Sequence, residues 1–579
     1  MAEGSKLTGY PSIDRPWLKY YSEEAIRAEL PQNTIYEYML ESNRDYPDDI
    51  AIRYFSRKIT FRELFRHIDA CARALTALGV QPGEIVTVAL PSIPEALYIV
   101  YALNKLGAVA NMIHPLAGQR EIVDYLNEVH SRVAILFDGT YNIIRDAISR
   151  TNLQHAVVVT AGESLPAHIK PLYALKAGRL RLPGSPFMAW RRFIRDGRTT
   201  PIPVVKKDSG TLAIISHTGG TTGEPKGVMC SDDSCNALMY QIVCNFQHGR
   251  QGRCMSVLPP FVNYSLIESM LAMLVIGYEV TLIPQYIPRQ FATYIKKYHP
   301  NIILSIPAYW EAILSIEALN SMDLSCLEQV YTGGEAMAEE TEQAVNALLL
   351  SRGAKYGLLK GLGSTELTGG ATQTYANCNV PGSVGVPLVK MNCMTVEPDT
   401  TTELKIGETG EICFSGPTVM LGYYNNSEAT DAIIKVHADG QRWLHTGDLG
   451  YIDADGVVFV TGRIKRIIMT KGTDGQVTKL FPDRIEKAIS AHPAVELCCV
   501  VGVPDSARIH VPKAYVVLKS SAEPSAQTRE SILDACWKSL PGYMVPETIE
   551  FCPDLPRTER GKIDFRALEA GGGEMTGCA

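Results

Sequence analysis

The stretch Ser216-His217-Thr218-Gly219-Gly220-Thr221-Thr222-Gly223-Glu224-Pro225-Lys226-Gly227 follows a short apolar strand, Ala213-Ile214-Ile215, and governs how the rest of the chain is read. Glycines let the backbone turn tightly and aim N–H groups at an anion, threonine hydroxyls add donors, and Lys226 adds positive charge. The stretch is read as a phosphate cradle. It is not the P-loop of NTPases, in which serine or threonine follows the lysine after a different glycine spacing; here Gly227 follows. Taken alone, the same residues also suit a flexible Gly/Thr surface turn.

Strand and helix patterns alternate on both sides of this loop. Upstream, Leu64, Phe65, Ile68, Ala72, Leu75 and Leu78 recur at helical spacing within Ile59–Leu78, and Gly79 ends that helix. A strand at Ile85–Leu90 follows, then a helix to about Leu106 that Ser92 and Glu95 are expected to start as a capping box, then strands near Val133–Phe137 and Val157–Thr160. Downstream, strands near Met255–Leu258, Glu279–Ile283, Ile302–Ser305 and Gln329–Thr332 alternate with helices such as Phe291–Tyr298 and Glu339–Leu350. Strands separated by helices predict βαβ units and largely parallel sheets, with ligands just beyond the carboxyl ends of the strands. Two of those ends are unusual: Thr332-Gly333-Gly334-Glu335, and Gly361-Leu362-Gly363-Ser364-Thr365-Glu366 after a strand at Tyr356–Leu359. Their glycines would let the backbone approach a base or ribose, and Glu366 could hold Mg²⁺ against phosphate oxygens. A solvated surface glutamate is the plain alternative.

Past Pro387 the pattern changes to short apolar pieces, Glu411–Phe414 and Val457–Val460, punctuated by Gly410, Gly416, Gly422 and the Asp455-Gly456 turn, which predicts a β-rich subdomain with hairpins over about 388–464. The last part is mixed, with a helix at Pro482–Ser490 and strands at Leu497–Val503 and Ala514–Lys519. The fold class expected is α/β: a large N-terminal domain, 1–464, of βαβ-built sheets with the β-rich subdomain, and a small α+β C-terminal domain, 465–579.

The totals fit a soluble, multidomain enzyme. A chain of 579 residues exceeds one core, and 46% apolar with 20% charged residues excludes disordered, collagen-like and coiled-coil classes. A net charge of −7 gives no reason to expect nucleic-acid binding. The 14 cysteines show no paired zinc spacing, and the start lacks the apolar stretch of a secretory signal, so a reduced, cytoplasmic setting is expected. The longest apolar run, Ser269–Tyr278, is bounded by Glu268 and Glu279 and is too short to span a bilayer. Residues 176–198 interleave basic and apolar side chains, which suits weak contact with an anionic membrane surface; Pro183 and Pro186 interrupt any long helix, and a plain surface connection is the other reading.

Four separated signals stand in one order: the loop at Thr218–Lys226, Gly363-Ser364-Thr365-Glu366, Thr446-Gly447-Asp448 with Gly462-Arg463, and Pro556-Arg557-Thr558-Glu559-Arg560-Gly561-Lys562. Together they resemble, over nearly the whole chain, the acyl-adenylate-forming superfamily of acyl-CoA synthetases, non-ribosomal peptide synthetase adenylation domains and luciferases, and acyl-CoA synthetases most. The resemblance implies an ATP- and Mg²⁺-dependent, AMP-forming ligase that activates a small-molecule carboxylic acid and passes it to coenzyme A, or alternatively to the phosphopantetheine of a carrier protein. It implies that Thr218, Gly219, Gly220, Thr221, Thr222, Gly223 and Lys226 hold phosphates, and that Gly334, Glu335, Leu362, Gly363, Ser364 and Thr365 face the nucleotide. Glu366 would carry Mg²⁺, Asp448 and Arg463 the ribose, and Lys562 the substrate carboxylate and phosphate. Catalysis would fall to Lys562, Glu366 and Thr218. Lys465 matches the position of a hinge about which the C-terminal domain swings, and is equally read as a surface lysine at a domain junction.

The chain departs from that pattern at several places. Leu362 replaces an aromatic residue, Val262 a histidine after Phe261, and Ile509 a glycine near Asp505; Ser231-Asp232-Asp233 stands where a histidine often follows the loop, and the 469–480 run is longer than usual. The stretch Phe261-Val262-Asn263-Tyr264-Ser265 carries no acid to pair an ammonium, which points to an uncharged acyl or aryl chain.

Overall fold

The computed structural model describes residues 7–177, 181–218, 226–244, 246, 249–466, 468–471, 477–480, 482–505, 508–557 and 563–569. Two largely parallel sheets dominate. One is ordered Gly422–Tyr423, Gly227–Ser231, Leu212–His217, Val109–Met112, Ile85–Ala89, Val133–Phe137, His155–Val159 and Phe187–Ala189. It is parallel from Leu212–His217 onward and antiparallel at the Gly227–Ser231 edge. The other is ordered Leu359–Lys360, Gln329–Thr332, Ile302–Ser305, Arg253–Ser256, Glu279–Leu282, Ile50–Tyr54 and Arg57–Thr60. The helices Phe61–Ala77, Pro94–Lys105 and Asp232–Val243 join a core that reaches both sheets.

Residues 392–463 form an antiparallel sheet of Asn392–Val396, Gly410–Ser415, Arg442–Ile452 and Ile434–Val436, with Val458–Arg463 paired to Arg442–Ile452. The last part has its own sheet, Val477–Leu480, Ile468–Lys471, Ile509–Leu518 and Val495–Asp505, and Thr548–Phe551 pairs in parallel with Ile509–Leu518. Helices Pro482–Ser490 and Ala526–Ser539 cover it through Ile485, Ile489, Ile532 and Cys536, a core separate from that of the two large sheets. The α/β fold with a large N-terminal and a small C-terminal domain is as expected from the alternation.

Several local expectations are corrected. The first long helix begins later, because Arg57–Thr60 pairs as a strand and Thr60 with Glu63 forms the capping box. Ser92 and Glu95 form no such box. Pro94 supplies the first turn, has no N–H to cap and needs no help in setting φ. Ser92 Oγ instead donates to Leu258 O at 3.0 Å, and Glu95 turns inward to accept from Ser164 Oγ. The segment expected as a strand at Tyr356–Leu359 pairs only at Leu359–Lys360. In the basic segment Phe187, Trp190 and Phe193 are buried, and a Cβ at Gly197 would lie 2.3 Å from Ala74 Cα, so these aromatics face the core. Leu172 and Leu175 upstream are exposed. Among the described residues no helix is long and apolar enough to cross a membrane, and the described cysteines are all free.

Ile509 holds φ at +69° while pairing with Asp505 and Thr470. A β-branched side chain is strained in this left-handed region, which glycine occupies freely. Ile509→Gly should therefore raise the unfolding free energy of this part of the chain by about 1 kcal/mol, the left-handed penalty less the entropy of an added glycine, and its urea midpoint with it. A lower midpoint in urea would show that the side chain's contacts outweigh the strain. Glu95 supplies a pH test. Burial, opposed by the Ser164 hydrogen bond, raises its carboxyl to about 7 from an ordinary 4.5. The folded state thus prefers the proton, and this stability is complete below about 4.5 and lost as pH rises through 7. Glu95→Gln should flatten the fall of thermal midpoint across that window; an unchanged slope would assign it to other groups.

Candidate active site

The proposed phosphate loop connects an antiparallel hairpin. Leu212–His217 pairs with Gly227–Ser231, His217 stands opposite Gly227, and Thr218 N–H donates to Lys226 O at 3.0 Å. Thr218 and Lys226 therefore face each other at the mouth of the loop, and Gly219, Gly220, Thr221, Thr222 and Gly223 lie outside the described residues. The base is braced from several elements. Ser216 Oγ donates to Asn263 Oδ1 at 2.5 Å, and His217 Nε2 lies 2.7 Å from Asn111 Oδ1 with its ring 4.2 Å from that of Tyr125. In the Ser231-Asp232-Asp233 departure, Ser231 caps the following helix, while the fully buried Asp232 pairs with Lys207 at 2.6 Å and accepts from Ile35 N–H at 2.9 Å.

Tyr423 joins this hairpin to Glu366. The strand Gly422–Tyr423 adds to the sheet edge, with Tyr423 opposite Val228 and Gly422 opposite Met229. The Tyr423 hydroxyl donates to Glu366 Oε1 at 2.8 Å, while Lys226 Nζ lies 5.1 Å from the centre of the same ring. Burial first, and then Glu366, raise the phenol far above its usual range, so it keeps its proton and stays a donor. The main chain reinforces the link, since Met420 N–H donates to Glu366 O at 2.9 Å. Sequence reading missed Tyr423; its only signal was a glycine-tyrosine pair in a stretch otherwise marked by turns.

The glycines at the two strand ends serve a different need from the one expected. A Cβ at Gly361 would lie 2.7 Å from Thr372 O, and one at Gly363 would lie 2.4 Å from Gly369 O. These residues are glycine because the chain packs on its own backbone, Gly363 and Ser364 pairing with Gly370 and Gly369. Leu362 N–H donates to Thr372 Oγ1 at 2.9 Å and its side chain packs against the core. Thr365 opens the short turn that carries Glu366. At the neighbouring end Gly334 is exposed with φ +87°, and Glu335 is exposed beside it. The Val262 departure has a neighbour from elsewhere in the chain: the ring of His114 lies 4.5 Å from that of Phe261.

Asp448 and Arg463 stand opposite each other across adjacent strands, with Arg463 Nε 2.8 Å from Asp448 Oδ1. Asp448 is 6% exposed, so its carboxylate is held rather than solvated. Its turn is built by groups that sequence reading overlooked. Gly447 N–H donates to Glu411 Oε1 at 2.9 Å, His445 Nδ1 lies 2.8 Å from Glu411 Oε2, and Asp448 N–H donates to Thr446 Oγ1 at 3.0 Å. Gly447 has φ +71°, which this tight turn requires.

Beyond Arg463 the short turn Ile464–Arg466 carries Lys465, whose side chain is outside the described residues. Arg466 pairs with Glu486 and donates to Val500 O at 3.2 Å, which ties the junction to the C-terminal sheet. Lys562 is outside the described residues; Arg557 and Ile563, on either side of it in the sequence, pair in an antiparallel bridge.

These residues fit the groups expected of them. Glu366 is one half-buried carboxylate that shares Tyr423 with Lys226, matching Mg²⁺, which takes one or two carboxylates with phosphate oxygens and water. Lys226, Thr218 and the Asp448–Arg463 pair suit phosphates and a diol. Tyr423→Phe should lower adenylation roughly 10- to 100-fold, the range expected for a hydrogen bond of about 1.5–3 kcal/mol to a charged group, and should raise the Mg²⁺ concentration needed for half-maximal rate. Pyrophosphate release titrated with Mg²⁺ reads both, and wild-type values would remove Tyr423 from the site.

The AMP-binding enzyme family matches residues 39–424, and the AMP-binding enzyme C-terminal domain matches residues 484–562. The chain is similar to a long-chain-fatty-acid–CoA ligase of Bacillus subtilis, 30% identical over 96% of this chain and 97% of that one. It is also similar to a probable 4-coumarate–CoA ligase of Dictyostelium discoideum, 28% identical over 94% and 96%. The crystal structure of an anthranilate CoA ligase in complex with anthranoyl-AMP shares the fold, with a TM-score of 0.78 at 23% identity over 94% of this chain and 98% of that one. With both domains matched and its length covered, the chain belongs to the AMP-binding enzyme family, and its CoA-ligase relatives make it an AMP-forming acid–thiol ligase.

Proposed function

We propose that this enzyme activates an uncharged fatty or aryl carboxylic acid with ATP and Mg²⁺ and transfers the acyl group to coenzyme A. The observation that carries this reading is the convergence on Tyr423 of Lys226 and Glu366, a cation and an anion delivered by different sheets to one ring. Attack of a carboxylate on the α-phosphate of ATP brings two anions together, so the work of the site is alignment and charge neutralisation. Lys226 and the loop threonines hold the β- and γ-phosphates, and Asp448 with Arg463 fixes the ribose. Glu366 would hold Mg²⁺, which would offset charge on the departing pyrophosphate. Lys562 bridges the acid and the α-phosphate during adenylation, and Lys465 acts as the hinge that later withdraws it. The acid lies beside Phe261 and the strand ends at Gly333 and Gly361, where Tyr264 and Leu362 supply apolar surface.

Pyrophosphate release measured across straight-chain, branched, aryl and amino acids, with and without coenzyme A, tests the reading. Multiple turnovers should appear only with coenzyme A and an uncharged acid, with the thioester as product. A single-turnover burst that coenzyme A does not rescue would transfer the acceptor role to a carrier protein. In the same assays Lys562→Ala should reduce adenylation by at least about 100-fold, as expected for loss of a transition-state donor, yet leave thioester formation from supplied acyl-adenylate near wild type. Equal loss of both steps would contradict its assigned role.

A further inference from the structure

A carboxylate stands where local rules argue against one, beside the hairpin that opens into the glycine-rich loop. Glu128 is the last residue of the helix Gln119–Glu128, where the helix dipole disfavours negative charge and no basic residue of the last turn offsets it. Burial raises its carboxyl above the ordinary range, opposed by one N–H, that of Gly227. Its contacts are with the two stems of the loop. Gly227, which follows Lys226, donates that N–H, and a Cβ at Gly227 would lie 3.5 Å from Glu128 Oε1. His217, which precedes Thr218 and stands opposite Gly227 across the hairpin, brings Nδ1 to 3.8 Å from Glu128 Oε2.

The hydrogen bonds around His217 fix how many protons it carries. Asn111 Nδ2 donates to Thr87 Oγ1 at 3.0 Å, so Asn111 Oδ1 is the atom that faces the ring, 2.7 Å from His217 Nε2. An amide oxygen only accepts, and Nε2 therefore holds a proton. A singly protonated imidazole would then turn the bare lone pair of Nδ1 toward the Glu128 carboxylate. The approach is attractive only when Nδ1 is protonated too, which makes the pair an imidazolium and a carboxylate. The His217 side chain is 3% exposed and that of Glu128 29%, so solvent screens the pair little. Tyr125, on the same helix, lays its ring 4.2 Å from that of His217 and donates its hydroxyl to Glu121 at 2.7 Å. Asn111 and Gly227 bring no charge from the neighbouring strands, and the loop itself adds Glu224 and Lys226 by sequence.

We propose that Glu128 is a positioning residue of the phosphate loop: one carboxylate clamps both stems, Gly227 through its N–H and His217 through the ion pair, and sets the mouth of the loop before ATP arrives. This rests on the reading of the loop as the phosphate site and adds a proton to it. A carboxylate kept at a helix C-terminus, half-buried and next to a site for anions, breaks three local rules at once, and the loop stems are what it holds in return. The clamp is complete while His217 is doubly protonated. When Nδ1 loses its proton a lone pair faces the carboxylate, the His217 side of the clamp opens, and ATP binding weakens. Fixing a loop in its binding geometry raises affinity without any contact to the ligand.

The test is the affinity of the full-length enzyme for ATP with Mg²⁺, measured by calorimetry without any acid from about pH 5.5 to 9 and compared between variants at each pH, so that ionisation of ATP itself cancels. Glu128→Ala should weaken ATP binding about 10- to 100-fold near pH 6, the effect of losing hydrogen bonds to a charged group. Glu128→Gln should recover most of that affinity, because its amide accepts from Gly227 N–H and donates to a singly protonated His217. The affinity of the wild type relative to Glu128→Gln should fall as pH rises. In pyrophosphate release the loss in Glu128→Ala should appear in KM for ATP rather than in kcat, a split that general damage to the fold would not give. Lys226→Ala is the reference for the loop. Wild-type affinity in Glu128→Ala beside a weakened Lys226→Ala would overturn the proposal alone. So would a Glu128→Gln variant as weak as Glu128→Ala, or a ratio of wild type to Glu128→Gln that is constant with pH. Wild-type affinity in Lys226→Ala would overturn the phosphate-loop reading, and the proposal with it.

Discussion

The arrangement of the site depends on one short strand. Gly422–Tyr423 closes the sheet edge beside Gly227–Ser231, and so brings a single phenol between the loop lysine and the carboxylate of Glu366. A direct ion pair between these two would neutralise both charges before any ligand arrived. With Tyr423 interposed, the lysine lies over a ring face and the carboxylate accepts from a hydroxyl, so neither is spent on the other. The phenol can do this because burial and its anionic neighbour keep it protonated. The same strand is fixed again by Met420, whose N–H reaches Glu366 O, and by Arg442, which donates to the carbonyls of Met420 and Leu421 at 3.2 Å.

A similar economy governs the Asp448–Arg463 pair. Asp448 needs a fixed direction more than it needs solvent, and the turn that aims it is secured by the buried Glu411, which accepts from Gly447 N–H on one oxygen and faces His445 on the other. Glu411 and His445 lie on neighbouring antiparallel strands, Cys413 being opposite His445 in register, so sheet pairing rather than loop packing sets the geometry. Groups held this way require little reorganisation when a ligand binds, which is where preorganised sites gain over flexible ones.

The frame of the fold was readable because it rests on periodicity. Gln329–Thr332, Ile302–Ser305, Phe291–Tyr298 and Pro482–Ser490 stand where the apolar pattern put them. Thr218, Lys226 and Glu366 were marked out by the glycines and turn residues around them, and Asp448 and Arg463 by the family pattern alone. What escaped reading depends on pairing between distant segments. Tyr423 is 57 residues from Glu366, and Asp232 meets Lys207 and Ile35 through contacts no local pattern encodes. Ser92 and Glu95 matched a local motif and were claimed by tertiary partners instead, because Pro94 had already supplied the helix start. The glycines at 361 and 363 were read as room for a ligand, and the sheet uses that room for its own backbone.

Glu268 shows how burial separates structural from functional polarity. Its neighbours on the same segment, Leu266, Ile267, Met270 and Leu271, are buried and apolar, and a leucine in place of the glutamate would satisfy the pattern of the run that follows. Asp232 is equally buried, but an amide, an N–H and a lysine compensate it, so its role is complete within the fold. Glu268 has one N–H from Gly370, and the polar atoms closest in kind, on Gln373 and Thr332, are themselves incompletely bonded. An internal network left open at several atoms is less stable than an apolar core of the same volume, and folding alone supplies no reason to retain it. Rules broken without local compensation are expected where function rather than folding retains them, and Glu268 lies one strand from the Gly361–Glu366 run.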